Sequence, residues 1–223
     1  MGSEERGCVK VLDGSGTSET GAVWQESAVC EGSTAWAEGE DAMQRRVCPP
    51  GHVRFMDNFL RPLLHRPRKL FGPYVREGMT VLDVGCGGGF ASMGLAEMVG
   101  EGGKVIAADL QPEMLAMVKE RAREAGLEDR VKIHRCNAYG VGLREQLDFA
   151  VAFWMVHEVM DLEDFLAEMH GLFVPGGHFF VAEPRFHVSS GDFSRLVETA
   201  EHAGFTVADE PRVRLSRTVV FAR

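Results

Sequence analysis

A chain of 223 residues, 45% hydrophobic and 26% charged, has the composition of an ordinary globular protein and the length for one domain with a full core and some extra chain. Its net charge of −9 argues against broad nucleic-acid binding. Its longest uninterrupted apolar run, residues 149–156, is far too short to cross a bilayer.

The five cysteines, Cys8, Cys30, Cys48, Cys86 and Cys136, are odd in number and never spaced as CxxC, which speaks against a disulfide framework or a zinc site. No metal ligand set is assigned. No basic, then apolar, then small-residue leader opens the chain, so the expected location is cytoplasmic. The charge is unevenly placed: residues 1–42 carry −7, residues 45–76 carry +7, and residues 77–223 carry −9. The basic segment either faces an acidic substrate or is a solvated surface paired with the acidic one.

Residues 1–46 are rich in Gly, Ser, Thr and Glu without a sustained period and read as a disordered acidic tail. Residues 47–78 read as a helical segment. Phe55, Phe59, Leu60, Leu63 and Leu64 recur at helical spacing despite Pro62, and a second short helix is predicted around Lys69 to Tyr74. From residue 79 to 223 strands and helices alternate, which predicts an α/β fold with a mostly parallel sheet covered on both faces. The expected strands are Thr80–Val84, Lys104–Ala108, Val131–Arg135, Leu147–Trp154, His178–Glu183, Phe205–Ala208 and about Val213–Ala222. The expected helices are Phe90–Val99, one opened by Pro112 and closed by Gly126, Asp161–Phe173, and Phe193–Ala203. Met114, Leu115, Val118, Ala122 and Ala125 form the predicted buried stripe of the second of these.

The first strand runs into Asp83-Val84-Gly85-Cys86-Gly87-Gly88-Gly89, an acidic residue followed by alternate glycines at the start of a helix. Backbone without Cβ atoms lets a ligand approach a helix N-terminus closely. The dinucleotide fingerprint G-x-G-x-x-G fails here, because its third glycine falls on Phe90. A carboxylate before the turn suits a cationic amine and repels a pyrophosphate. The stretch resembles motif I of class I S-adenosylmethionine-dependent methyltransferases, closest in style to bacterial small-molecule enzymes of the quinone-biosynthesis and arsenite types. The resemblance covers about residues 79–223. It implies a three-layer, Rossmann-like sheet of seven strands with the last antiparallel, S-adenosylmethionine as cofactor, and an N-terminal helical lid over the substrate side of the cleft.

In open α/β sheets ligands bind beyond the carboxyl ends of the strands. Asp83, Gly85, Cys86, Gly87 and Gly89 follow that rule after strand one. After strand two comes Asp109, placed either to accept from both ribose hydroxyls, as the resemblance implies, or to cap the next helix. Leu110 beside it can pack on adenine. Asn137 after strand three stands where the family often has Asp for the adenine amino group, and Ala138 adds backbone contacts. Phe153, near the end of strand four, is also an expected cofactor contact.

His157 and Glu158 then follow in Phe153-Trp154-Met155-Val156-His157-Glu158. The Asn/Asp-Pro-Pro-Tyr/Phe motif of methyltransferases acting on base amines or glutamine amides is absent. His157 titrates near neutrality and is a candidate general base, with Glu158 beside it; the other reading is a structural histidine bonded to Glu158 or to backbone. Glu183 and Arg185 lie on the same rim, either as substrate contacts or as partners of each other, and His187 is a weaker candidate.

The expected activity is methyl transfer to a small-molecule acceptor. No nucleic-acid partner is expected, and the oligomeric state is open. Three alternatives remain: a metalloid methyltransferase using Cys48, Cys86 or Cys136, a nicotinamide oxidoreductase, and a non-catalytic module that only holds the cofactor.

Overall fold

Six of the seven residues of Leu147–Phe153 are buried, as expected of a strand covered on both faces. In the computed structural model, which describes residues 65–223, this strand is the centre of a seven-stranded sheet. Numbered along the chain, the strands are β1 (Thr80–Val84), β2 (Lys104–Asp109), β3 (Val131–Arg135), β4 (Leu147–Phe153), β5 (Phe173–Pro184), β6 (Thr206–Asp209) and β7 (Ser216–Ala222). Their order in space is β3-β2-β1-β4-β5-β7-β6. β1 pairs parallel with β2 and β4, β2 with β3, and β4 with β5, while β7 is antiparallel to both β5 and β6. The three-layer, mostly parallel architecture with its antiparallel last strand is therefore present. The chain reverses direction across the sheet between β1 and β4, and ligands of such folds sit beyond that switch point.

Among the described residues the α-helices are α1 (Pro67–Phe71), α2 (Phe90–Val99), α3 (Pro112–Glu124), α4 (Leu162–Leu172) and α5 (Ser190–His202). One face of the sheet packs Val81, Val105 and Phe149 against Leu95 of α2 and Val118 of α3. The other packs Leu82, Ile106 and Phe179 against Leu166 of α4 and Leu196 of α5. Expectations for residues 1–64, the acidic tail and most of the lid segment, lie outside the described residues.

Several element ends differ from the sequence reading for local reasons. α5 starts three residues early because Ser189 caps it, accepting the Asp192 N–H at 3.1 Å. β4 stops at Phe153 because Trp154 turns to a φ of 64°. β5 begins at Phe173 and continues through Pro175-Gly176-Gly177, which form a bulge: two steps along β4, Leu147 to Phe149, match five along β5, Phe173 to His178. β7 begins only at Ser216, after Leu215 adopts a φ of 62°. Ala125 is exposed at the end of α3, and Leu127, brought back by its N–H bond to the Ala122 carbonyl at 2.8 Å, is buried instead. The short helix predicted around Lys69 to Tyr74 is α1, which begins two residues earlier at Pro67 and ends at Phe71.

Five residues are too few for a helix to stand alone. α1 is held by Phe71, wholly buried, whose ring lies 5.1 Å from Phe180 and 6.1 Å from Phe149. Replacing Phe71 with Ala should cost about 3–5 kcal/mol of stability, read as a lower midpoint in chemical denaturation. A change within ~0.5 kcal/mol would mean that α1 is not anchored in this way.

Candidate active site

The turn after β1 is built from backbone that only glycine adopts without strain. Gly85, Gly87 and Gly89 have φ of 65°, 50° and 86°. At Gly85 space is also short, since an added Cβ would lie 2.7 Å from Cγ of Met155. The turn after β1 thus touches the turn after β4. Gly89 is the N-cap of α2 and provides no capping side chain. Asp83 is 2% exposed, and its Oδ2 accepts from the Ser92 hydroxyl of α2 at 2.5 Å.

Asp109 ends β2 with its carboxylate turned to this turn. Oδ2 accepts the Gly87 N–H and Oδ1 the Gln111 N–H, each at 2.9 Å. Burial raises its pKa, and the N–H groups of Gln111, Gly87 and Leu110 oppose that rise. Gln111, not Asp109, is the N-cap of α3. The Cys136 N–H donates to the Asp109 carbonyl at 3.0 Å, which brings the end of β3 alongside.

There Asn137 is exposed, and its Oδ1 accepts the Tyr139 N–H at 2.8 Å. Ala138 beside it is buried, and Leu110 is half-buried. Phe153, across β1, is 5% exposed, with its ring 6.2 Å from that of Phe90 at the start of α2. The predicted cofactor residues therefore line adjacent strand ends. Arg121 of α3, which the sequence reading missed, donates to the Gly88 carbonyl and ties α3 to the glycine turn.

His157 lies in a single 3-10 turn, Val156–Glu158, after β4. Its carboxylate partner is Glu183 of β5 rather than Glu158 or backbone. His157 Nδ1 is 2.5 Å from Glu183 Oε2, while Oε1 accepts the Val156 N–H at 2.9 Å. Glu183 is fully buried and the His157 side chain is 20% exposed. Partial burial of the imidazole favours its neutral form. The hydrogen bond and charge of Glu183, with the charge of Glu158, outweigh that and raise the pKa above its ordinary value. Arg185 does not pair with Glu183; its Nε donates to the Ser216 carbonyl at 2.8 Å. The ring of His187 lies 4.7 Å from that of His157.

A family model described as a methyltransferase domain matches residues 75–209. The chain belongs to the S-adenosylmethionine-dependent methyltransferase family. Among relatives of this methyltransferase domain, the ubiquinone biosynthesis O-methyltransferase of Methylobacterium sp. is 33% identical over 118 residues, 53% of this chain and 46% of that protein. The ubiquinone/menaquinone biosynthesis C-methyltransferase UbiE of Escherichia fergusonii is 34% identical over 110 residues, 49% of this chain and 44% of that protein. The chain thus matches rather under half the length of these curated relatives. A crystal structure of a SAM-dependent methyltransferase from Aquifex aeolicus superposes with a TM-score of 0.70 at 27% identity, covering 79% of this chain and 98% of that one. The cyclase SpnF shares the fold, with a TM-score of 0.56 at 24% identity over 65% of this chain and 59% of its own.

The donor set fits S-adenosylmethionine. It presents two buried carboxylates one strand apart and, between them, a glycine turn at a helix N-terminus. Gly85→Ala should weaken cofactor binding at least about tenfold by forcing Met155 aside at a backbone angle an L side chain resists. Isothermal titration of the variant checks this. The His157–Glu183 pair makes a second prediction, about pH. A raised folded pKa adds stability that is fully present below the unfolded value of 6.5 and is lost as pH rises through the folded value. Denaturation midpoints of the native chain should therefore fall from about pH 5.5 to about pH 8.5 by more than those of His157→Gln. Parallel profiles would contradict the pairing.

Proposed function

We propose that the protein transfers the methyl group of S-adenosylmethionine to a small organic acceptor. The observation that carries the reading is the buried Asp109 carboxylate bonded to Gly87 of the glycine turn. In this reading Asp83 meets the methionine amine, and the turn and the start of α2 meet its carboxylate. Asp109 holds the ribose hydroxyls, and Leu110, Asn137 and Ala138 meet adenine. When bound, the cofactor supplies an activated sulfonium methyl.

The protein's own part is mainly orientation and exclusion of water. Phe90, Phe153 and Trp154 form an apolar wall, with the Trp154 ring 5.6 Å from Phe153 and 5.7 Å from Phe186. For an acceptor that must lose a proton, His157 is the base. Glu183 engages Nδ1, so the neutral ring accepts the proton at Nε2. Glu183 is a positioning residue that fixes the tautomer. Glu158 adds its charge.

The names of the relatives, O- and C-methyltransferases of quinone biosynthesis, support an organic acceptor. A metalloid acceptor would need reactive thiolates. Burial pushes the Cys86 thiol well up and the Cys136 thiol up to about 12, which gives that alternative less support. Cys48 lies outside the described residues.

Calorimetric titration should show S-adenosylmethionine binding that falls at least about tenfold in Asp83→Ala and in Asp109→Ala, with no binding of NAD. Unchanged affinity in both variants would sink the reading. In transfer assays, the rate should rise with pH through the raised pKa of His157. Glu183→Gln should move that rise to lower pH, and His157→Gln should lower kcat by about 10²–10⁴-fold. Equal kcat values would leave His157 a structural role.

A further inference from the structure

Among the described residues an open cavity of about 450 Å³ lies between α1 and the segment that joins β6 to β7. Its volume is that of a small-molecule site. Arg66 and Lys69 line one side, Arg212 and Arg214 the other. All four side chains are exposed, and among the described residues none has a hydrogen-bond or ion-pair partner for its charged group.

One carboxylate, Asp209, lines the cavity, and its Oδ2 accepts from the Tyr74 hydroxyl at 2.5 Å. Leu70, Pro73 and Val213 give the lining its apolar floor, and His65 closes one side. Four cations thus gather at one cavity of a chain whose net charge is −9. A concave site lined by one sign of charge concentrates the opposite charge. Cations above an apolar floor suit an organic anion, with its charged group on the guanidinium and ammonium groups and its body on the floor.

The cavity shares a wall with the candidate active site. That wall is His65, 1% exposed, whose Nε2 lies 2.9 Å from the Arg214 carbonyl oxygen. Its ring is 5.1 Å from Phe153 and 5.7 Å from Trp154. Beyond Trp154 the rings continue: Phe186 lies 5.7 Å from it, and His187, next in the chain, lies 4.7 Å from His157. The Trp154 indole N–H also donates to Ser216 Oγ at 2.8 Å, two residues past Arg214. A molecule anchored on the four cations would have its far end along this row of rings.

Resting on the methyltransferase reading, we infer that the cavity seats an anionic group, phosphate or carboxylate, carried by the methyl acceptor. Calorimetry of the full chain with phenyl phosphate, benzoate and inorganic phosphate tests it. At least one aromatic anion should bind about tenfold or more tightly than inorganic phosphate. The double variant Lys69→Ala, Arg212→Ala should weaken that binding by about tenfold and flatten its salt dependence. Tighter phenyl phosphate would identify a phosphorylated acceptor, tighter benzoate a carboxylated one.

In transfer assays with phenols that lack or bear a carboxylate or phosphate substituent, the anionic phenols should have the lower KM. The double variant should remove that advantage and leave kcat unchanged. Failure of both aromatic anions to bind, or equal binding by native and variant chains, would overturn the proposal, as would equal KM for neutral and anionic phenols. S-adenosylmethionine is titrated separately into the same two proteins. Its failure to bind the native chain would count against the methyltransferase reading and not against the anion site.

Discussion

A buried carboxylate that accepts backbone N–H groups is the contact on which this architecture turns. Asp109 sits one strand away from the glycine turn because β1 and β2 pair in parallel, Val84 opposite Ala108. That register delivers the Gly87 N–H to Oδ2, while the chain's own turn delivers the Gln111 N–H to Oδ1. Burial favours the neutral acid and raises the pKa, and the amides oppose that rise. A carboxylate held in one orientation loses little further freedom when a diol binds to it. The same bonds stiffen the turn that, in the proposed reading, receives the other end of the ligand.

The second half of the site is built differently. Glu183 reaches His157 because β4 and β5 are neighbours, with Phe153 opposite Ala182. One oxygen takes the Val156 N–H and the other the imidazole, so the short turn after β4 is held to β5 at two points. Met155, between the two halves in sequence, packs where a Cβ on Gly85 would be. A glycine chosen for backbone conformation thus also sets the distance between the cofactor turn and the candidate base.

These contacts divide by how far the sequence could disclose them. The glycine turn was legible because everything it needs is local: an apolar strand, an acid, alternate glycines and a helix start. Asp109 and Asn137 followed from the rule that ligands gather at strand ends. The role of Glu183 was not legible, although its position on the rim was. A neighbouring Glu158 offered a local partner for His157, and only the pairing of β4 with β5 decides between the two. The end of β4 was misread for a related reason. Trp154 extends an apolar run, but its N–H bonds the Ala182 carbonyl at 2.7 Å and its indole bonds Ser216, and together these hold it in left-handed backbone. Such a conformation costs about 1–3 kcal/mol and persists only where tertiary contacts impose it. The bulge at Pro175-Gly176-Gly177 reads locally as a turn. It stays within β5 because Gly176 and Gly177 bond to the backbone of Arg223, far away in sequence.

The fold does not by itself distinguish methyl transfer from other chemistry, since the cyclase SpnF shares it. A protein that only held the cofactor would need the Asp83–Asp109 half and nothing more. The fully buried Glu183 is therefore informative. Taking a carboxylate out of water costs several kcal/mol unless charge or hydrogen bonds offset it. An apolar residue at this place in β5 would bury without that cost. What the carboxylate adds is a histidine held at Nδ1 with a raised pKa. A perturbed titratable pair at a strand end, beside a row of aromatic rings, belongs to an active site more readily than to a scaffold. For that reason the half of the site remote from the cofactor supports transfer over mere binding, and the nature of the acceptor has to be sought on that side.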